Sequence, residues 1–158
     1  KMSYSKLAKS LCAAGAFAWP LLPVPAAAQS TPWQVNCLEA RVCELKSEIL
    51  QGETVAARLS IFHVRGHFFL QYTIPTGLDL AKGISLAIDE GPQQPTLVSS
   101  CTGFGCTGLM DLSTNDVQAM IAGQSARIFC TSPTNLDVFA IGFDLAGFTA
   151  GFEELTSR

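Results

Sequence analysis

The feature that most constrains the fold of this chain is an alternation of apolar and polar residues with a period of two. In an extended strand, successive side chains point to opposite faces, so this period predicts strands rather than helices. Residues 55–64 carry apolar side chains at both odd and even positions, which predicts a central strand of the sheet. The turn Arg65-Gly66 follows, and residues 67–74, rich in Phe, Tyr and Ile, are predicted to return as the antiparallel partner.

Short strand-like segments separated by turn residues continue along the chain. Further strands are predicted at residues 33–37, 43–49, 84–88, 96–101, 126–131 and 138–145. Ser113 or Thr114 is predicted to cap a short helix that runs to Ala122 and ends at Gly123, and residues 147–155 are predicted to form a second. Many short strands joined by turns favour an all-β, antiparallel sandwich or barrel over alternating βαβ units.

Residues 1–28 have the three parts of a secretory signal peptide. Lys1, Lys6 and Lys9 precede an apolar run, and three alanines end the segment, so cleavage is predicted between Ala28 and Gln29. A membrane-spanning helix is the competing interpretation, but prolines interrupt the run before the roughly 20 residues that a span needs. We therefore expect export by the general secretory route to the periplasm or cell envelope, a single domain at residues 29–158, and no transmembrane segment in it.

The charge of residues 29–158 argues against nucleic acid as a partner. Loss of the signal removes three of the ten Lys and Arg and none of the thirteen Asp and Glu, which leaves seven positive charges against thirteen negative and a net charge of −6. Binding to a phosphate backbone needs clustered positive charge, and no Lys or Arg cluster is present in the sequence.

Five cysteines remain in residues 29–158, and an oxidising compartment favours disulfides. The closest pairings are Cys37 with Cys43 and Cys101 with Cys106, each closing a short loop around a turn. A tetrahedral zinc site built from four thiolates is the alternative, although the spacings are wider than the usual C-x2-C knuckle. Cys130 is left over, as a buried inert thiol or as a bridge to another chain.

A glycine-rich segment lies between the second pair of cysteines and just beyond it. Gly103 to Gly108 matches the G-x-G-x-x-G nucleotide fingerprint, but the flanking residues are strand-like and no helix is predicted to begin at Gly103 to receive a phosphate. The glycines instead let the backbone turn sharply enough for Cys101 and Cys106 to meet. We predict a disulfide-closed turn with Phe104 at its tip, packed inward or displayed as a partner-binding loop.

No residue pattern in the chain specifies catalysis. His63 and His67 are four residues apart, but a turn separates them and no nearby Cys, Asp or Glu completes a metal-ligand set. No G-x-S-x-G nucleophile elbow is present, and the adjacent carboxylates Asp89-Glu90 and Glu153-Glu154 are explained as a turn and a helix surface. We predict no catalytic, cofactor-binding or metal-binding residues.

Several separated segments resemble the invasion-associated locus B proteins of Gram-negative envelopes. The matching segments are Trp33 with Cys37 and Cys43, the turn 74–78, Gly83 through 89–92, Cys101 with Gly105-Cys106, and the closing residues 143–148. The resemblance implies an exported domain with an antiparallel immunoglobulin-like β-sandwich and one or two short helices, and a link to host-cell invasion in some pathogenic members. It implies no catalytic motif, and Cys130 is not part of its pattern.

Three functional hypotheses follow from these observations. The first is a non-enzymatic envelope protein, without cofactors, that binds an envelope or host protein and acts in invasion or virulence. The second is an exported enzyme that uses Cys101 and Cys106 as a redox couple or His63 and His67 as a metal site. The third is a purely structural periplasmic component.

Overall fold

The computed structural model describes residues 29–38 and 42–158, and the predicted signal peptide lies outside them. It contains ten β-strands, two α-helices and one short 3-10 helix at Leu80–Lys82. The strands are β1 Gln34–Leu38, β2 Val42–Gln51, β3 Thr54–Val64, β4 His67–Ile74, β5 Ile84–Ile88, β6 Gln94–Thr96, β7 Val98–Thr102, β8 Gly105–Leu112, β9 Ser125–Thr131 and β10 Val138–Asp144. The helices are α1 Thr114–Ala122 and α2 Phe148–Thr156.

The strands form two antiparallel sheets. The six-stranded sheet has the order β1-β2-β3-β4-β8-β7, and the four-stranded sheet has the order β10-β9-β5-β6. Neighbouring strands in the first sheet are mostly consecutive in the chain, because short turns connect them as hairpins. The predicted fold class, an antiparallel β-sandwich with two short helices, is confirmed.

The core lies between the two sheets and is built by the alternation seen in the sequence. On β3, Ala57, Leu59 and Ile61 are buried, and the strand has a partner on each side, as predicted for a central strand. The sheets also share a buried polar contact, since the Tyr72 hydroxyl on β4 lies 2.8 Å from Thr96 Oγ1 on β6. Register in both sheets is set by this apolar face, because a slip of one residue would expose it.

Both helices begin and end close to where the sequence predicted. Ser113 caps α1 by accepting a hydrogen bond from the Asp116 amide, and the Asp116 carboxylate accepts one from the Ser113 amide, which makes a reciprocal capping box. In α2, Phe148 and Leu155 are buried. The Phe148 ring lies 5.0 Å from the ring of Trp33 in an edge-to-face arrangement, which ties the last helix to the first described residues.

Two strand predictions differ from the structure. The sequence did not predict β8, because Gly105 and Gly108 lie in it and glycine is depleted in strands. The predicted strand at residues 96–101 is divided at Leu97 into β6, which joins the four-stranded sheet, and β7, which joins the six-stranded one. The chain crosses between the sheets at this point, and a local pattern carries no signal for such a crossing.

Among the described residues, the structure has no helix with the length and apolarity needed to cross a membrane.

Candidate functional site

The predicted turn between Cys101 and Cys106 is the β7–β8 hairpin. Cys101 on β7 lies directly opposite Cys106 on β8, with their Sγ atoms 2.06 Å apart and their Cα atoms 4.0 Å apart. At the tip, the Phe104 amide donates a hydrogen bond to Thr102 Oγ1 at 3.2 Å, which holds the turn locally. The Phe104 side chain is 97% exposed, so it is displayed rather than packed inward.

Two of the three glycines of this segment, Gly105 and Gly108, have packing roles in the sheet. Gly105 has φ +147°, and a Cβ there would lie 2.7 Å from the Ile74 carbonyl oxygen of β4. Gly108 is paired with Tyr72, and a Cβ at Gly108 would lie 2.1 Å from the Tyr72 hydroxyl oxygen. A strand rather than a helix begins at Gly105, and two of the three glycines that match the nucleotide fingerprint make room for β4.

A second exposed apolar side chain lies at the other end of β7. Leu97, which immediately precedes β7, is 82% exposed. Leu97 and Phe104 are the most exposed large hydrophobic side chains among the described residues, and they flank a single five-residue strand. We call residues 97–104 the β7 edge. Sequence reasoning found Phe104 but missed Leu97, because the residue is conspicuous only after the sheet crossing is known.

The register of β1 and β2 also brings the other predicted cysteine pair together. Cys37 on β1 lies directly opposite Cys43 on β2, and their Sγ atoms are 2.03 Å apart. In the part of the chain that the structure describes, no group of three or more His, Cys, Asp or Glu side chains is arranged to hold a metal ion. The four predicted cysteines therefore lie as two separate pairs and not as one tetrahedral set.

Cys130 is a free thiol on the inner face of β9 and is only 1% exposed. Burial raises the pKa of this thiol to about 11, since an apolar surrounding disfavours the thiolate. The location matches the predicted buried, inert thiol and gives no access for a bridge to a second chain.

The two histidines point to opposite faces of the sheet. His63 is paired with Phe68, and Val64 is paired with His67. Paired residues share a face, whereas neighbours along a strand do not, so His67 lies on the face of Val64 and His63 on the other. The His63 ring stacks on Phe68 with ring centroids 4.6 Å apart. This geometry does not bring the two imidazoles to one ligand.

The adjacent carboxylates Asp89 and Glu90 border an open hollow of about 980 Å³ at one end of the four-stranded sheet. The Asp89 carboxylate accepts hydrogen bonds from the Ser125 amide at 2.8 Å and the Gln124 amide at 3.0 Å. The hydrogen bond from the Ser125 amide has the largest effect, and together with that from the Gln124 amide it holds the pKa of Asp89 below its ordinary value.

Arg127 also lines this hollow, and its side chain likewise contacts groups of the protein. Its guanidinium donates to the Asp89 carbonyl oxygen and forms an ion pair with Glu90 at 2.9 Å. The charged groups of Asp89, Glu90 and Arg127 thus join the turn after β5 to the start of β9. Sequence reasoning missed Arg127, because its partners are 37 and 38 residues away.

Comparisons with known proteins agree with the geometry of the fold. Residues 33–156 match the family model described as "Invasion associated locus B (IalB) protein". Two relatives, invasion protein B homologs of Brucella abortus strain 2308 and of B. abortus biovar 1 strain 9-941, are each 26% identical over 130 residues, covering 78% of this chain and 75% of the relative. The crystal structure of invasion associated protein B from Bartonella henselae matches with a TM-score of 0.72 and 23% identity, over 79% of this chain and 92% of that one.

Proposed function

This chain belongs to the invasion-associated locus B family, and from this premise we propose that it is an exported, non-enzymatic envelope protein that acts by binding another protein. Export is supported by the signal-like residues 1–28 and by two cysteine pairs at disulfide distance, which are typical of an oxidising compartment. A role in host-cell invasion is suggested by the names of the Brucella and Bartonella relatives.

The observation that carries the proposal is the exposed Phe104 on a covalently closed turn. A phenylalanine side chain gains roughly 1.5–3 kcal/mol when it moves from water to an apolar environment, so complete exposure forgoes that stabilisation in the free protein. Aromatic residues that enter a partner's pocket are the usual anchors of protein interfaces. The bridge between Cys101 and Cys106 restricts the turn before binding, which lowers the entropy lost on association.

The contacts of the candidate catalytic groups support a non-enzymatic role. His63 and His67 diverge, Asp89 accepts two backbone amides, and Cys130 is buried with a raised pKa. Each cysteine pair joins two adjacent strands directly, and neither is placed at a helix N-terminus, where reactive thiolates are commonly found.

The test is capture of a binding partner by the purified exported protein and by matched variants. Wild type, Phe104→Asp and Val138→Asp are compared against envelope extract and against host-cell surfaces, with captured proteins identified by mass spectrometry. Val138 on β10 is 66% exposed and lies in the other sheet, so it controls for a new charge on an apolar surface residue. We expect a specific protein to be lost with Phe104→Asp and retained with Val138→Asp. Equal capture by all three, or no capture by wild type, would remove the proposal.

Two further measurements test other parts of this proposal: the first separates it from an exported redox enzyme, and the second tests export itself. The reduction potential of the Cys101–Cys106 pair is expected to lie below about −300 mV, as for structural disulfides, whereas a potential in the oxidoreductase range would favour the enzyme. The N-terminal residue of protein recovered from the periplasm is expected to be Gln29, and retention of the protein in the cytoplasm would contradict export.

A further inference from the structure

In the described part of the chain, one side of β7 has no neighbouring strand to hydrogen-bond with its backbone. Within residues 29–38 and 42–158, β7 is paired with β8 alone and ends the six-stranded sheet. The Cα atoms of Cys101 and Cys106 are 4.0 Å apart, close to the spacing of a non-hydrogen-bonded antiparallel pair, in which the N–H and C=O of each residue point away from the other strand. The backbone donor and acceptor of Cys101 therefore point toward the free edge.

Hollows lie on both faces of the sheet beside this edge. On the inner side, Leu80, Ile84 and Leu97 line a hollow of about 470 Å³. On the outer side, Phe62, Phe69 and Leu109 line one of about 490 Å³. Ser99 and Ser100 of β7 border both hollows. A strand added to β7 would direct alternate side chains to opposite faces, and therefore alternately into these two hollows.

Two of the other three edge strands, β6 and β10, offer less to an added strand than β7 does, and the third, β1, is contacted by α2. β6 has only three residues, and Pro95 within it has no N–H to donate. The end of β10 is occupied, since the Asp144 amide donates to Ser30 Oγ and the Asp144 carbonyl accepts from Trp33 Nε1. β7 carries neither proline nor charge, two of the devices that protect natural edges, although its pairing with β8 is irregular between Val98 and Ser100.

The charges around the edge decide the chemistry of its occupant. None of the fifteen residues that line the two hollows is an acid, a lysine, an arginine or a histidine. A charged side chain of an added strand would lose water there without gaining an opposite charge, which is unfavourable. The cost of desolvating a charge therefore selects an uncharged segment.

We infer that the β7 edge accepts an extended segment of a partner protein as an added strand, free of proline and of charge over about the five residues that β7 spans. Leu97 and Phe104 contact the two ends of that segment, and backbone hydrogen bonds to Cys101 hold its centre. This inference rests on the proposed function, because it specifies how the partner is recognised.

The experiment selects binders from a phage-displayed library of random nine-residue peptides on the purified exported protein. Recovered peptides are synthesised, their Kd is measured by calorimetry, and the protected amides are located by hydrogen–deuterium exchange. We expect recovered peptides to have five consecutive positions without charge or proline and to protect β7. Ser100→Lys places a charge at the edge and is expected to weaken binding at least tenfold, whereas Ala140→Lys on β10 is expected to leave it unchanged. Unfolding midpoints establish that both variants fold.

Four outcomes overturn the inference: no recovered peptide, charged peptides, protection away from β7, or equal binding by the Ser100→Lys variant. A concentration-dependent dimer in sedimentation equilibrium, with β7 protected in the absence of peptide, would assign the edge to a second copy instead. The proposed function is judged separately by its own capture experiment. If a partner is lost with Phe104→Asp but kept with Ser100→Lys, protein binding stands and strand addition fails.

Discussion

At the scale of single residues, the contact between Tyr72 and Gly108 shows how a residue without a side chain leaves space for a large buried ring. Tyr72 is 1% exposed, and its hydroxyl has a partner in Thr96, so the polar end of the ring is satisfied within the core. Burial raises the pKa of Tyr72, and the phenol stays protonated and able to donate this hydrogen bond. The ring occupies the space that a side chain at position 108 would need.

Gly108→Ala is expected to destabilise the protein by roughly 1–3 kcal/mol, because the added methyl group overlaps the Tyr72 ring and forces a shift in a packed core. Urea unfolding followed by fluorescence measures the change. Gly103→Ala is the matched control, since a Cβ there meets no described atom within 4 Å, and it is expected to change stability by less than about 0.5 kcal/mol. Similar losses for both variants would show that the Tyr72 contact is not the cause.

Cys130 is expected to be unreactive in the folded protein. Its burial and a pKa of about 11 leave very little thiolate at pH 8. Titration with a chromogenic disulfide reagent is expected to detect no thiol in native protein and one thiol per chain of residues 29–158 after unfolding in guanidinium. Rapid reaction in the native state, at a rate that does not follow unfolding, would contradict this placement.

At the scale of elements, the β7–β8 hairpin combines two constraints that act on the same turn. The cysteine pair joins the strands at directly opposed positions, and β8 is in turn hydrogen-bonded to β4 along most of its length. The turn is thus anchored to the centre of the six-stranded sheet on one side while β7 stays open on the other. This arrangement holds Phe104 at the surface without support from packing around its ring.

Replacement of both Cys101 and Cys106 by Ser is expected to cost about 2 kcal/mol, the chain-entropy value for a loop of this length, with a further penalty because Cys106 is buried. The free energy of unfolding is measured by urea titration with and without a reducing agent. Reduction is expected to destabilise the variant less than wild type, since only the Cys37–Cys43 pair remains to be opened. Unchanged stability in the double variant would show that the bridge does not form.

At the scale of the whole molecule, the two sheets are connected by a mixed set of contacts. The apolar faces supply the common core, Tyr72 and Thr96 add a hydrogen bond across it, and Trp33 donates to Asp144 at 2.7 Å. Carboxylates at separate places then fix turns and helix ends. Asp89 accepts hydrogen bonds from the Gln124 and Ser125 amides at the start of β9, and Asp116 closes the capping box of α1.

Stability is expected to fall in acid because these carboxylates have lowered pKa values. Hydrogen bonds lower the pKa of Asp89, and in Asp116 hydrogen bonds outweigh the opposing effect of burial. A lowered native pKa means that the unfolded chain binds more protons near pH 4, so this stabilisation is complete above the ordinary value of 3.8 and is lost as the pH falls below it. Urea titrations between pH 2.5 and 7 measure the profile.

Asp89→Asn is expected to lower stability at pH 7 and to flatten the acid limb of that profile, because the amide keeps the side-chain shape without the charge. Asp111→Asn is the matched control, an exposed aspartate on β8, and is expected to preserve the wild-type slope. An acid limb unchanged by Asp89→Asn would mean that other groups determine the loss.

The sequence by itself determined the features that depend on neighbouring residues. Its period-two alternation identified most strands, residues 84–88 among them to the residue, and the cap at Ser113 located α1. It also pointed to the two cysteine pairs, because each closes a short loop around a turn. These predictions succeeded because propensity, capping and short loop closure act over a few residues.

Only the tertiary structure decided what depends on distant residues. Strand β8 pairs with β4, where Gly108 leaves space for the Tyr72 ring. Arg127 contacts residues that are nearly forty positions away in the sequence. The opposed directions of His63 and His67 depend on hairpin register, and the exposure of Leu97 depends on a crossing between sheets. The turn around Phe104 was predictable, but its place at the end of an open edge was not, because strand order in a sheet is set by the burial of the whole core.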